Sequence, residues 1–446
     1  MGPTFTPAAG LVALALVAGG CGGEPAGPPE ARNVILVVTD DQTVDAISKM
    51  PWLDSRRDWT RFERAYINQP WCCPSRASIL SGQWAHHHGV IGNSRFAKEF
   101  DDSETIVTRL DDAGYETGLF GKYLNGFPWD RGDDYVPPGW DRWTAFLNTN
   151  GAYYDYELGI DGAESVRHGE EAADHSTALF GRRAVAFVRD APEPFFAMLT
   201  PYAPHEPATP APRDLGAFAE EPVERPPNFG VVAPDQPEHV RERGRLPFAR
   251  AAAAKRRAWA STLAVDRILR DLFAAVRERG VLGNTVFVFI SDNGFAFGSH
   301  RLRAKNCLYQ ECAQVPMLMW TPGVDGGEVA TPFSNVDLAP TIAGLAGAEP
   351  PDDADGEDLS PQLLGDAPWP EDRDLLLEVH QSKQGVPDGY ALVNSRWKYI
   401  EHATGEVELY DLRSDPYELD NLAGEPALAE RERELADRLA ELVPGA

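Results

Sequence analysis

The chain has 446 residues, 43% hydrophobic and 25% charged, an ordinary globular composition with length for one large core and a smaller unit. Its formal net charge of -28 disfavours nonspecific attraction to nucleic acid or to an anionic membrane. The same charge repels polyanionic substrates at long range, so any such substrate needs a local site of metal, Lys and Arg.

Residues 1–32 read as a signal segment and linker. Leu11 to Ala18 is an apolar run too short to span a membrane. Gly19-Gly20-Cys21-Gly22-Gly23 and a Pro/Gly/Glu tether follow it. Small residues ahead of a cysteine, then a tether, resemble a bacterial lipoprotein signal with Cys21 as the lipidated residue. A plain secretory signal is the competing reading, because no Lys or Arg precedes the apolar run. Both readings export the protein, as a cell-surface lipoprotein or in secreted form.

Asn33 to Thr39 is a continuous β-branched run suited to a central strand buried on both faces, with Asp40-Asp41 at its carboxyl end. Ser103 can cap a helix running to about Asp112, which Gly114 stops. Tyr115 to Phe120 reads as a strand ending in Gly121-Lys122-Tyr123-Leu124-Asn125. Asp174 to Asp190 has helical spacing, Phe195 to Thr200 is a further buried strand, and Pro201-Tyr202-Ala203-Pro204-His205 follows it. A long helix covers Ala251 to Arg279, and a strand over Val286 to Ile290 delivers Ser291-Asp292-Asn293-Gly294. This alternation predicts an α/β domain over 33–349, a mostly parallel sheet with helices on both faces. Ligands of such sheets bind outside the carboxyl ends of the strands. Asp40, Asp41, Lys122, His205, Asp292 and Asn293 can therefore converge on one crevice, although each pair alone also suits a turn or cap. An acidic, Pro-rich stretch, 350–374, reads as a linker. Strand-like runs at Leu375–Val379, Tyr390–Val393, Trp397–Ile400 and Val407–Leu409, then a helix from Leu428 to Leu442, make 375–446 a small α+β subdomain.

Cys72-Cys73-Pro74-Ser75-Arg76 continues into Ala77-Ser78-Ile79-Leu80-Ser81-Gly82. On its own this suits a buried cysteine pair opening a helix, since Pro fits a first turn. The run resembles the signature of the sulfatase family. Asp40-Asp41, Gly121-Lys122, Pro204-His205, Asp292-Asn293-Gly294 and the later Glu408-Leu409-Tyr410-Asp411-Leu412 extend the resemblance from about Asn33 to Ala423.

That resemblance implies an alkaline-phosphatase-like fold and a sulfuric ester hydrolase. It implies that a formylglycine-generating maturation enzyme oxidises Cys72 to an aldehyde whose hydrate attacks the sulfate. It implies Ca²⁺ held by Asp40, Asp41, Asp292, Asn293 and residue 72. Arg76 would steady the hydrate, Lys122 would contact the sulfate, and His205 and Lys305 would flank the leaving oxygen. Many members carry a histidine where this chain has Leu124. Lys122-Tyr123-Leu124-Asn125, with Val136-Pro137-Pro138-Gly139-Trp140, resembles the N-acetylglucosamine-6-sulfatase branch and implies a sulfated carbohydrate substrate. The aromatics Tyr123, Trp129, Tyr135, Trp140, Trp143, Tyr153 and Tyr154 suit either a sugar platform or internal packing. His86, His87 and His88 are consecutive and cannot all face one metal from a helix. Cys307 and Cys312 can pair as a disulfide or remain thiols. The competing functions are a phosphonate or phosphate monoesterase on the same fold, and an inactive lipoprotein that binds sulfated glycans.

Overall fold

Asn33–Thr39 forms β1, with all 7 residues buried. A run of this kind has no face to offer water, so it takes the middle of a sheet. The structure, a computed structural model, describes residues 32–443 apart from 94, 164 and 383, together with 1, 2 and 4. The apolar run at 11–18 and Cys21 lie outside the described residues. Among the described residues no helix is long and apolar enough to cross a membrane.

β2 (Thr60–Phe62), β3 (Glu116–Gly121), β4 (Arg142–Phe146), β5 (Tyr156–Ile160), β6 (Val166–His168), β7 (Phe195–Thr200), β8 (Thr285–Ser291), β9 (Met317–Trp320) and β10 (Glu328–Val329) complete a 10-stranded sheet. Its order is β10-β2-β9-β8-β1-β7-β3-β4-β5-β6. β8, β1, β7, β3 and β4 run parallel, with β9 antiparallel to β8 on one side and, on the other, β5 antiparallel to β4 and β6 antiparallel to β5. Thr39 pairs in register with Ser291, and Gly121 with Thr200. The carboxyl ends of β8, β1, β7 and β3 therefore finish side by side.

Successive side chains of β1 serve opposite layers. Val34, Leu36 and Val38 pack with α1 (Cys72–Ser81), α2 (Ile106–Asp112) and, later in the chain, the Leu338–Ala346 helix. Ile35 and Val37 face α3 (Ser176–Asp190) and α4 (Phe248–Arg279). The helix at Leu338–Ala346, α5, has no counterpart in the sequence reading. The cap of α2 is Thr105, in a reciprocal pair with Thr108, whereas Ser103 turns back to Asp101.

β11 (Leu375–Val379), β12 (Gly389–Val393), β13 (Trp397–His402) and β14 (Val407–Asp411) form an antiparallel sheet in sequence order. One face takes Leu435 and Leu439 of α6 (Ala429–Leu442). The other packs on Leu308, Tyr309 and Cys312 of the larger unit. Between the two sheets, Leu359 and Leu363 are buried, and the Trp369 ring meets that of Phe62 at 5.5 Å.

Candidate active site

Four neighbouring strand ends deliver polar and charged side chains to one place. Asp40 and Asp41 follow β1, Lys122 follows β3, His205 follows β7, and Asp292 and Asn293 follow β8. Asp41 holds φ at 68°, the left-handed region that Asp tolerates better than most residues, and this turns the chain directly at the strand end. Gly121 has φ 137°, and a Cβ there would sit 2.1 Å from Thr200 O, so only glycine lets β3 close onto β7 one residue before the lysine.

α1 enters from the side with all 10 of its residues buried and Cys72 first. Cys72 Sγ lies 3.6 Å from Asp40 Oδ1 and 2.9 Å from Lys305 Nζ. One turn on, Arg76 Nε donates to Asp292 Oδ2 at 2.9 Å, and Nη1 donates to the Lys122 carbonyl at 2.8 Å. Arg76 Nη2 is also 3.5 Å from Asp40 Oδ2, and Lys122 Nζ reaches that oxygen at 2.6 Å. Lys305 Nζ pairs with Asp41 Oδ1 and lies 3.6 Å from Asp40 Oδ1. Asp40, Asp41 and Asp292 thus face Arg76, Lys122 and Lys305, all of them buried.

Burial alone would raise the Asp40 carboxyl. Lys122 first, then His205, Lys305 and Arg76 outweigh it and hold Asp40 well below the usual carboxylate range. Asp292 moves the other way, pushed up by burial and by Asp40 in spite of Arg76. Burial would lower each cation, but Asp40 raises Lys122, Asp292 raises Arg76, and Asp41 raises Lys305. Burial and the Asp40 carboxylate push the Cys72 thiol up to about 12. As a thiol it stays protonated at neutral pH and is a poor nucleophile.

His205 is the partly open member, with 25% of its side chain exposed. Its Nδ1 lies 2.7 Å from Glu206 O, and a carbonyl only accepts, so Nδ1 carries a proton. Nε2 is then the nitrogen turned to the site, 3.6 Å from Asp41 Oδ2. Two tyrosines support this histidine: Tyr202, which has no site role in the sequence reading, and Tyr153, which is offered there as a sugar platform or a packing residue. Tyr202 stacks on the ring at 4.5 Å, and Tyr153 donates to the His205 carbonyl at 2.8 Å.

The oxygens of Asp40, Asp41, Asp292 and Asn293 are the donor chemistry a hard divalent cation takes. Asp40, Asp41, Cys72 and His205 each bring a ligand atom to within 4.8 Å of the others. Asn293 Nδ2 donates to Asp41 Oδ1 at 2.6 Å, while its Oδ1 is buried with no hydrogen-bond partner, as a carbonyl awaiting a cation would be. Asp292 is already engaged, its Oδ1 by the Asp41 N–H and its Oδ2 by Arg76. The donor set fits a hard cation with Arg76 sharing Asp292.

Every residue expected at the site is brought to this cluster, and several bystanders are placed elsewhere. His86 turns to Glu378, His87 to Asp355 and His88 to Ser78, three separate directions. Leu124 is buried in the core, and the Asn125 N–H reaches Cys73 Sγ at 3.1 Å. Tyr123, Trp143 and Tyr153 are internal packing residues, Tyr123 and Trp143 meeting at 5.3 Å, so these three offer no open platform to a sugar. Cys307 and Cys312 form a disulfide beside Lys305.

Residues 32–348 match the family model described as sulfatase, and residues 298–444 match N-sulphoglucosamine sulphohydrolase, C-terminal. The human N-acetylglucosamine-6-sulfatase is 31% identical over 94% of this chain and 86% of its own. The N-acetylglucosamine-6-O-sulfatase of Bacteroides thetaiotaomicron is 28% identical over 97% of this chain and 89% of its own. A structure solved with its substrate D-glucosamine-2-N,6-O-disulfate superposes with a TM-score of 0.80 at 25% identity, covering 93% of this chain and 97% of that one. The architecture is the alkaline-phosphatase-like one. With the family model matching most of its length and the strand-end cluster intact, the chain belongs to the sulfatase family of enzymes.

Proposed function

We propose that this protein is an exported sulfuric ester hydrolase that removes 6-O-sulfate from N-acetylglucosamine-type sugars. It uses formylglycine made from Cys72 by a maturation enzyme, and Ca²⁺ held by Asp40, Asp41, Asp292, Asn293 and residue 72. It leaves the cell as a lipoprotein through Cys21 or in secreted form. The observation that carries the reading is the seat of Cys72, on a helix N-terminus between Asp40 and Lys305, where its protonated thiol is chemically idle. The choice of sugar and position rests on the likeness to the two 6-sulfatases and to the disulfated glucosamine complex.

A sulfate monoester resists attack because its own charge repels nucleophiles. When bound, the cation offsets charge on the sulfuryl oxygens, and the hydrated aldehyde brings the attacking hydroxyl. Lys122 and Lys305 add two ammonium groups that are already desolvated, so their pull on an anion is stronger than it is in water. Arg76 bridges Asp292 and the Lys122 carbonyl, which locks α1 and residue 72 against the strand ends. The N-terminus of α1 itself favours an anion. His205 Nε2, when protonated, points a proton toward the leaving oxygen, and the Lys305 ammonium is a second donor.

The deciding experiment is a set of specificity constants on matched 6-, 4- and 3-O-sulfated N-acetylglucosamine and galactosamine, with protein whose aldehyde is confirmed. The 6-O-sulfated glucosamine is expected to lead. A leading 4- or 3-O-sulfate would overturn the substrate, and faster release of phosphate from the matching phosphate esters would overturn the ester class.

His205→Ala is expected to slow an alkyl sugar sulfate by about 10² to 10⁴-fold and nitrophenyl sulfate far less, because a good leaving group needs little protonation. Equal losses on both would reassign His205 to binding.

A further inference from the structure

Lys305 lies in an irregular stretch, and no strand end presents it. A lysine on a loop keeps much rotational freedom, so something else must aim it. Its neighbour Asn306 has φ 63° and donates its N–H to Pro70 O at 2.8 Å, two residues ahead of Cys72. Further attachments come from the segment after β11. Gln384 Oε1 accepts from the N–H of Ala304 at 3.1 Å and of Arg303 at 3.3 Å, and its Nε2 donates to the Lys305 carbonyl. The His380 carbonyl accepts from Asn306 Nδ2 at 3.1 Å and from Gln69 Nε2 at 3.3 Å, and Ser382 Oγ donates to Asn306 O at 3.4 Å. One glutamine amide therefore ties the backbone of three consecutive residues and fixes the turn from which Lys305 reaches Asp41 and Cys72.

We infer that Gln384 is a positioning residue for Lys305, so that the segment after β11 completes an active site otherwise built by the strand ends of the larger sheet, α1 and the Lys305 loop. This rests on the role given to Lys305 above. The segment is tied down in turn, since Arg243 Nη2 donates to the Gln384 carbonyl at 2.5 Å.

The test is a double-mutant cycle on matured protein, using Gln384→Ala, Lys305→Ala and the pair, each assayed on an alkyl sugar sulfate and on nitrophenyl sulfate. Gln384→Ala is expected to lower kcat on the sugar sulfate about 10- to 100-fold and on nitrophenyl sulfate less than about threefold. It is expected to add nothing when Lys305 is already alanine, because coupled residues are not additive. Equal losses on the two substrates, or a further loss in the Lys305→Ala background, would overturn the inference. If Lys305→Ala shows leaving-group dependence and Gln384→Ala does not, Gln384 alone is misassigned. If Lys305→Ala shows none, both roles fall. Should Gln384→Ala not fold, Gln384→Glu is read the same way, since it keeps the acceptor for Arg303 and Ala304 and loses the donor to the Lys305 carbonyl.

Discussion

Cys72→Ala is expected to cut turnover of a sulfate ester by at least about 10³-fold, the scale on which removing a nucleophile acts. The substitution trims the one side chain that touches both Asp40 and Lys305 and leaves the ion pairs of Lys305 with Asp40 and Asp41 in place. The loss therefore belongs to chemistry, and circular dichroism and thermal unfolding should stay close to the parent. Cys73→Ala is the control. Cys73 is equally buried in α1, but its Sγ accepts from the Asn125 N–H, so that variant should lose stability before it loses chemistry. Peptide mass spectrometry should find the aldehyde at position 72 in the parent and none at 73. Undiminished turnover in Cys72→Ala would remove the mechanism altogether.

Asp40→Ala should act on both stability and ion binding. Asp40 is fully buried and faces Lys122, Arg76 and Lys305. Taking one partner from a buried ion cluster leaves its cations uncompensated, a cost of about 3–5 kcal/mol. Denaturant unfolding in a chelator should register that loss with no ion present, and elemental analysis should find the divalent ion depleted. A variant as stable as the parent, with a full complement of ion, would show that Asp40 neither balances the cluster nor binds metal.

The parallel centre of the fold was legible because burial on both faces writes a continuous apolar run. Asn33–Thr39 and Phe195–Thr200 have the bounds read from sequence, and Thr285–Ser291 extends its run by one residue at each end. The margins were not legible. Val166–His168 is a short strand paired with Tyr156–Ile160, and Glu328–Val329 one paired with Thr60–Phe62, far away in sequence. α5 carries Pro340 in its first turn and a surround of Ala and Leu, so it is apolar on all sides and has no stripe to read. The site followed the same division. Asp40, Asp41, Lys122, Asp292 and Asn293 lie within two residues of a strand end, where chain order alone predicts convergence. Tyr202 stood inside the quoted Pro-Tyr-Ala-Pro-His run, but its stacking under His205 needs the bent backbone. Gln384 gave no local signal, since its partner Lys305 is 79 positions away.

The depth of α1 also sets an order of events. Cys72 is 1% exposed, and the cover over its helix is made late. Asn335 reaches the Ser75 carbonyl from 260 positions downstream, and Leu376 takes the Asn68 amide from 308 downstream. On the proposed formylglycine reading, a converting enzyme would therefore meet Cys72 only while that cover is missing, before the chain has folded. Protein that folds first in a host without such an enzyme should keep its thiol permanently, and adding the enzyme afterwards should change nothing until the chain is unfolded.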